Sequence, residues 1–184
     1  MTDEPRRVDA QPVTASAWEP FGWLPRPDTD PADGEHTLHF VWDDAHLNTI
    51  EHTTDEIDTT ERGLRCAVLY RHETHTQVLT PLDVASVVAV APAGVTFADP
   101  ADVDAIRAFV LEPGETVVLH QGTWHWGPFP IRGAGSVRLL NVQGRRYAED
   151  NASVDLTATP VEIVTPVEIV TPVEIVTPVE IVNP

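Results

Sequence analysis

Four side chains, His72, Gln77, His120 and His125, have the types and spacing that chemistry requires. Histidine titrates near neutral pH, so it can serve as acid, base or metal ligand. Other chemistries are set aside first. Cys66 is the single cysteine, which excludes an intramolecular disulfide and a CxxC knuckle, and within the apolar run Leu64 to Tyr70 it reads as a buried small hydrophobe. The sequence has no GxSxG and no HExxH, and Gly133-x-Gly135 is too short for a phosphate loop and reads as a turn. Among the remaining histidines, His36, His39, His46 and His52 have no partner at a useful spacing and read as surface or loop residues, while His75 in a turn is expected to be exposed.

The elements that must position these residues are short strands. Seventeen prolines and ten glycines divide the 184 residues into brief apolar runs, a pattern that favours turns and strands over long helices. Strands are predicted in Thr37 to Trp42, Leu64 to Tyr70, Thr76 to Thr80, Val84 to Ala91, Ala105 to Leu111, Glu115 to Leu119 and Ser136 to Val142. Asp99 to Asp104 is predicted to make one helical turn, capped by aspartate with proline just after it. Ala17 to Leu24, with two tryptophans and a phenylalanine, is predicted to cover one end of a barrel. Alternation puts Tyr70 and His72 on one strand face, and Gln77, after the turn at Glu73 to His75, can return to the same interior.

The length suits one domain, assigned to residues 16–150, preceded by a flexible leader over 1–15. Residues 151–184 hold four copies of TPVEIV. A β-solenoid would need more coils and fewer prolines, so the repeat is assigned to an extended or disordered tail without chemistry. The balance of 29 acidic against 11 basic residues, all arginine, disfavours nucleic acid and anionic membrane as partners. A lysine-free acidic surface fits either concentrated salt or a compositional bias of the genome. The start MTDEPRRVDA has no signal-peptide core and no run approaches the roughly 20 apolar residues of a membrane span, so a cytoplasmic location is expected.

The segment PGETVVLHQGTWHW, Pro113 to Trp126, resembles the cupin motif G-x5-P-x-G-x2-H-x3-N at Gly114, Gly122 and His125, with His120 at the proline position and Phe129 at the asparagine position. The other cupin half-site, H-x-H-x3,4-E, is matched in part by Tyr70-x-His72-x4-Gln77. A fold resembling an all-β cupin barrel, a double-stranded β-helix or jelly roll with few short helices, is therefore expected. A divalent metal held by His72, Gln77 and His125 would leave positions for substrate or water.

RAFVLEPGETVVLHQGTWHWGPF is similar to a stretch of the ureidoglycolate lyase family. RHETHTQVLTPL matches that family at Arg71, His72, Gln77, Pro81 and Leu82, and WEPFGWL at Phe21 and Gly22. The resemblance covers roughly residues 16–145. Tyr70 stands where the family has glutamate, Trp126 where it has a second histidine, and Gln143 about where it has aspartate. The resemblance implies cleavage of ureidoglycolate to glyoxylate and urea in purine and allantoin nitrogen catabolism, a small ureido or keto acid as partner, and a homodimer. It implies His120 as general base, His125 as catalytic residue or ligand, and Tyr70, His72, Gln77 and Trp124 as substrate-binding residues, with no organic cofactor. Arg71 lies on the other strand face from Tyr70 and His72. Two other readings stay open: another metal-dependent cupin enzyme, such as an oxygenase or isomerase of a small acid, and a non-catalytic binding cupin.

Overall fold

The computed structural model describes residues 5–27 and 36–166. Strand β1 (Arg6–Pro12) leads to a short helix α1 (Ala15–Trp18) and β2 (Gly22–Trp23). After the long β3 (Ala45–Thr53) come β4 (Asp58–Thr59), β5 (Gly63–Cys66), β6 (Val68–Arg71), β7 (Gln77–Pro81) and β8 (Ser86–Ala91). A 3-10 turn at Pro100–Ala105 precedes β9 (Arg107–Leu111), β10 (Val117–Leu119), β11 (Trp124–Pro130), β12 (Ser136–Gly144), β13 (Ala152–Asp155) and β14 (Val161–Val164). That turn starts as predicted, with the Asp99 side chain accepting from the Ala101 amide at 2.8 Å.

The strands form two sheets, ordered β13-β6-β11-β8-β9-β1-β14-β5-β4 and β2-β10-β7-β12-β3, which make the expected barrel. β8 is buried along its whole length and shows why two cores exist. Its Val87, Ala89 and Ala91 enter a core inside the curled nine-stranded sheet, and its Val88 and Val90 enter a second core between the sheets. The aromatic cluster near the N-terminus closes the second core as expected. Trp18 and Phe21 meet Phe109 edge to face at 5.2 and 5.8 Å, and the Trp18 Nε1 donates to the Val118 carbonyl at 2.9 Å. Gly22 allows this closure, because a Cβ there would overlap the Val118 carbonyl.

Three segments differ from the sequence expectation. Thr37 to Trp42 makes only one bridge, Phe40 to His75, and the nine-residue β3 lies in a stretch not read as a strand. Its half-buried positions His46, Asn48, Ile50 and His52 are mostly polar, so hydrophobic alternation is absent there. The leader assigned to 1–15 contains β1, which pairs in parallel with β9 and β14. These partners lie about 100 or more residues away, beyond the reach of local pattern.

The first repeat copy is also in the fold. Val161 and Ile163 are fully buried in β14, between β1 and β5. Pro160 and Pro166 flank the paired residues rather than interrupting them, so no ladder donor is lost. The barrel therefore extends past residue 150, while the later copies, from residue 167, lie outside the described residues. Among the described residues no helix is long and apolar enough to cross a membrane.

Candidate functional site

The space between the sheets is apolar at one end and polar at the other. Leu79, Val88, Phe109, Leu111 and Val117 fill the first end. Gln77, Asn141 and Gln143 continue the same inner face of β7 and β12 and are buried. His125 faces them from β11, next to Val90 of β8. His72, just past β6, places its ring 5.5 Å from that of His125, so the structure brings these two predicted residues together, and it buries Gln77 on β7.

Two residues not predicted complete the cluster. His75, expected to be exposed, is 3% exposed and stacks on His72 with ring centroids 4.6 Å apart. Phe40 covers its other side, and Gly144 leaves it room, since a Cβ there would sit 2.7 Å from the His75 Nδ1. Asp150 ties the segment after β12 to the turn. Its carboxylate accepts from the Glu73 amide at 3.0 Å, from the Thr74 amide at 2.8 Å and from the Thr74 hydroxyl. Its backbone carbonyl accepts from the His72 Nδ1 at 2.8 Å. Nothing local in the sequence announces this pairing across 78 positions, and only the polar, turn-forming character of the stretch around Asp150 hints at it.

These groups are set electrostatically by burial. Desolvation holds His125 down to about 3 and His75 to about 4, with the neighbouring His72 adding to both shifts. His72 is lowered as well, chiefly by burial. Burial alone would raise Asp150, but its bonds from Thr74 and Glu73 outweigh this and hold it below the usual carboxylate range. The result at neutral pH is three uncharged imidazoles beside one carboxylate. The Nδ1 of His72 and of His125 faces backbone carbonyls, Asp150 and Thr123, which leaves each Nε2 as the ring atom available for chemistry.

His72, His75 and Asp150 each offer a ligand atom, all within 4.8 Å of one another, so this buried group could hold a metal ion. The fit is chemical as well as spatial: neutral imidazoles are the protonation state that ligation needs, and the buried His75 Nε2 has no hydrogen-bond partner. The set differs from the expected His72, Gln77 and His125. Only His72 is shared, and the Gln77 amide is engaged with Asn141 and Gln143.

The remaining predicted residues lie elsewhere. His120, one residue beyond buried Leu119, is exposed on the outer side. Its ring lies tilted against Trp23 at 5.3 Å between centroids and lines a cavity of about 380 Å³ with His36, His39 and Thr76, so it does not join His125. The alternation of β11 explains the separation of Trp124, which turns into the core inside the nine-stranded sheet and donates to the Val95 carbonyl at 2.8 Å. The Arg71 guanidinium lies 4.3 Å over the Trp124 ring and pairs with Glu73, away from the buried histidines. Tyr70 is directly opposite His125 in register and 39% exposed, a position at the rim. His46, read as a surface residue, faces Gln143 across β3 and β12.

A comparison with curated proteins finds no match. The profile of the family described as Ureidoglycolate lyase matches residues 5–163, which takes in β1 and both sheets up to Ile163, one residue short of the end of the first repeat copy. The cluster of His72, His75, His125, Gln77 and Asp150 lies wholly within that span, and on the extent of the match the chain belongs to the ureidoglycolate lyase family.

Proposed function

We propose that this chain is a lyase of purine and allantoin nitrogen catabolism that splits ureidoglycolate into glyoxylate and urea. The observation that carries the reading is the buried group of neutral imidazoles, His72, His75 and His125, at the polar end of a barrel of this family. The reaction removes the carbinol hydroxyl proton, forms the carbonyl as the carbon–nitrogen bond breaks, and returns a proton to the leaving ureido nitrogen. The two proton transfers balance, so one imidazole suffices for both.

In this reading the base is His125 rather than His120. Its Nδ1 is oriented by the Thr123 carbonyl, so Nε2 takes the hydroxyl proton and delivers it to the nitrogen. His72, His75 and Asp150 would hold a divalent cation, which when bound supplies Lewis acidity toward the substrate oxygens. Gln77 orients the substrate, and Tyr70 borders the entrance. The surrounding strands keep bulk water from the reacting bond.

The test is to follow glyoxylate and urea from ureidoglycolate with metal-supplemented and chelated protein. Equal amounts of both products, reduced by chelation, support the reading. A ligand that raises the melting temperature without turnover favours a binding cupin instead.

A further inference from the structure

The slot that β14 fills is read by four residues. Val161, Glu162, Ile163 and Val164 pair in parallel with Arg6, Arg7, Val8 and Asp9 of β1, and antiparallel with Cys66, Arg65, Leu64 and Gly63 of β5. Val161 and Ile163 are fully buried, and the Glu162 carboxylate accepts from the Arg7 Nε at 2.9 Å. Gly63 admits the Ile163 carbonyl, since a Cβ there would overlap its oxygen, and that contact is made by backbone alone. The same four residues, VEIV, recur at 167–170, 173–176 and 179–182, each preceded by Thr-Pro as Val161 is.

A one-residue slip would turn Val161 and Ile163 out of the core, but a slip of six is even and returns every side-chain type to its place. Seating the second copy changes the connection from β13, where residues 156–160 would be lengthened by the six residues of one repeat. Doubling a loop costs about a factor of three in the equilibrium constant, far less than leaving two buried aliphatic positions empty. The tether also holds the second copy at about millimolar effective concentration, so a second molecule at micromolar concentration competes weakly. We propose that the groove between β1 and β5 is an exchangeable strand slot whose second occupant is residues 167–170 of the same chain. They take it in about one molecule for every three that seat the first copy, and in nearly all molecules when the first copy is damaged. The repeat thereby supplies a spare strand to the barrel, independently of the chemistry assigned to the histidines.

Full-length variants test this by thermal unfolding and by a cross-link. Ile163→Asp puts a charge in the first copy only and should lower the melting temperature by no more than about 3 °C, the equivalent of the longer connection. Adding Ile169→Asp, Ile175→Asp and Ile181→Asp removes every spare, and this fourfold variant should lose about 10 °C or more. The three later substitutions without Ile163→Asp should leave the melting temperature within about 2 °C of the wild type. Cys66 is directly opposite Val161 in register, so Val167→Cys in the Ile163→Asp chain would bring a second thiol to it when the second copy is seated. Mild oxidation should then join positions 66 and 167 within one chain, at a yield like that of Val161→Cys in the otherwise unchanged chain, as peptide mapping would show. A loss in Ile163→Asp as large as in the fourfold variant, an unchanged fourfold variant, or a cross-link yield far below that of Val161→Cys would overturn the proposal. A cross-link between two chains would overturn it in favour of a second molecule as the occupant.

Discussion

His72 and Asp150 are joined by a 2.8 Å hydrogen bond from the imidazole Nδ1 to the backbone carbonyl, and this bond couples the site to the segment that follows β12. The Asp150 carboxylate secures the same turn from the other side through Glu73 and Thr74. Asp150→Ala should leave those donors without their charged acceptor and lower stability by about 2–4 kcal/mol. Asp150→Asn should lose less stability, because one oxygen remains. Both variants should bind divalent metal more weakly, as calorimetric titration would register. Unaltered metal binding in Asp150→Ala would remove Asp150 from the ligand set.

The first repeat copy gives a second prediction. A chain ending at Ala158 lacks β14, and with it the buried Val161 and Ile163, whereas a chain ending at Pro166 retains them. Burying each such side chain contributes about 1.5–3 kcal/mol, so the shorter chain should be less stable than the longer one by at least that amount. Chemical denaturation of the two proteins compares them directly. Matching midpoints would mean that β14 contributes nothing to the barrel.

Acid should destabilise the fold before its carboxylates titrate. His125 is held down to about 3 and His75 to about 4 by burial, against about 6.5 in the unfolded chain. His72 faces both, with Asp150, Asp44 and His46 around His75 and His52 near His125. Between pH 6.5 and about 4 the unfolded chain binds more protons, so stability present above pH 6.5 is lost as the pH falls. Each of the two histidines contributes a slope of about 1.4 kcal/mol per pH unit. Urea denaturation of chelated protein at pH 7.5, 5.5 and 4.5 measures this. A flat profile down to pH 4.5 would show that these imidazoles are not buried in the neutral form.

Much of the barrel was legible because its strands repeat every second residue between strong turn signals, as at Pro113-Gly114 before β10 and Gly122 before β11. Gly122 has a φ of +76°, where a side chain would be strained, which accounts for its place in the motif. The same alternation turns Gln77 of β7 and His125 of β11 inward and leaves His72 buried just past β6. His120 was misplaced by one position of parity: Leu119 takes the interior, and its neighbour is left outside. His75 and Asp150 could not be read, because the turn is buried by segments distant in the sequence, Phe40 and its neighbours before it and Asp150 after it. β3 was missed because a strand lining a polar site carries histidine and asparagine where a core strand carries valine.

Ionic strength should act on the fold through the net charge of −18. Exposed pairs such as Arg138 with Asp83 and Arg132 with Glu112 offset only part of the acidic surface. Going from molar salt to 0.1 M lengthens the Debye screening distance from about 3 Å to about 10 Å, and self-repulsion grows. The unfolding temperature should fall over that range. A constant unfolding temperature would assign the acidic composition to genomic bias.

The central claim is that chemistry takes place among the buried histidines and not at the outer cavity, and two alanine variants separate these places. The measurement is kcat for urea release from ureidoglycolate by His125→Ala and His120→Ala, each checked for folding by circular dichroism. His125→Ala should lose about 10²-fold to 10⁴-fold in kcat, the usual worth of a positioned acid or base, while His120→Ala should retain most of the wild-type rate. A folded His125→Ala enzyme with wild-type turnover, or a collapse confined to His120→Ala, would contradict the account and move the reaction to the cavity beside Trp23.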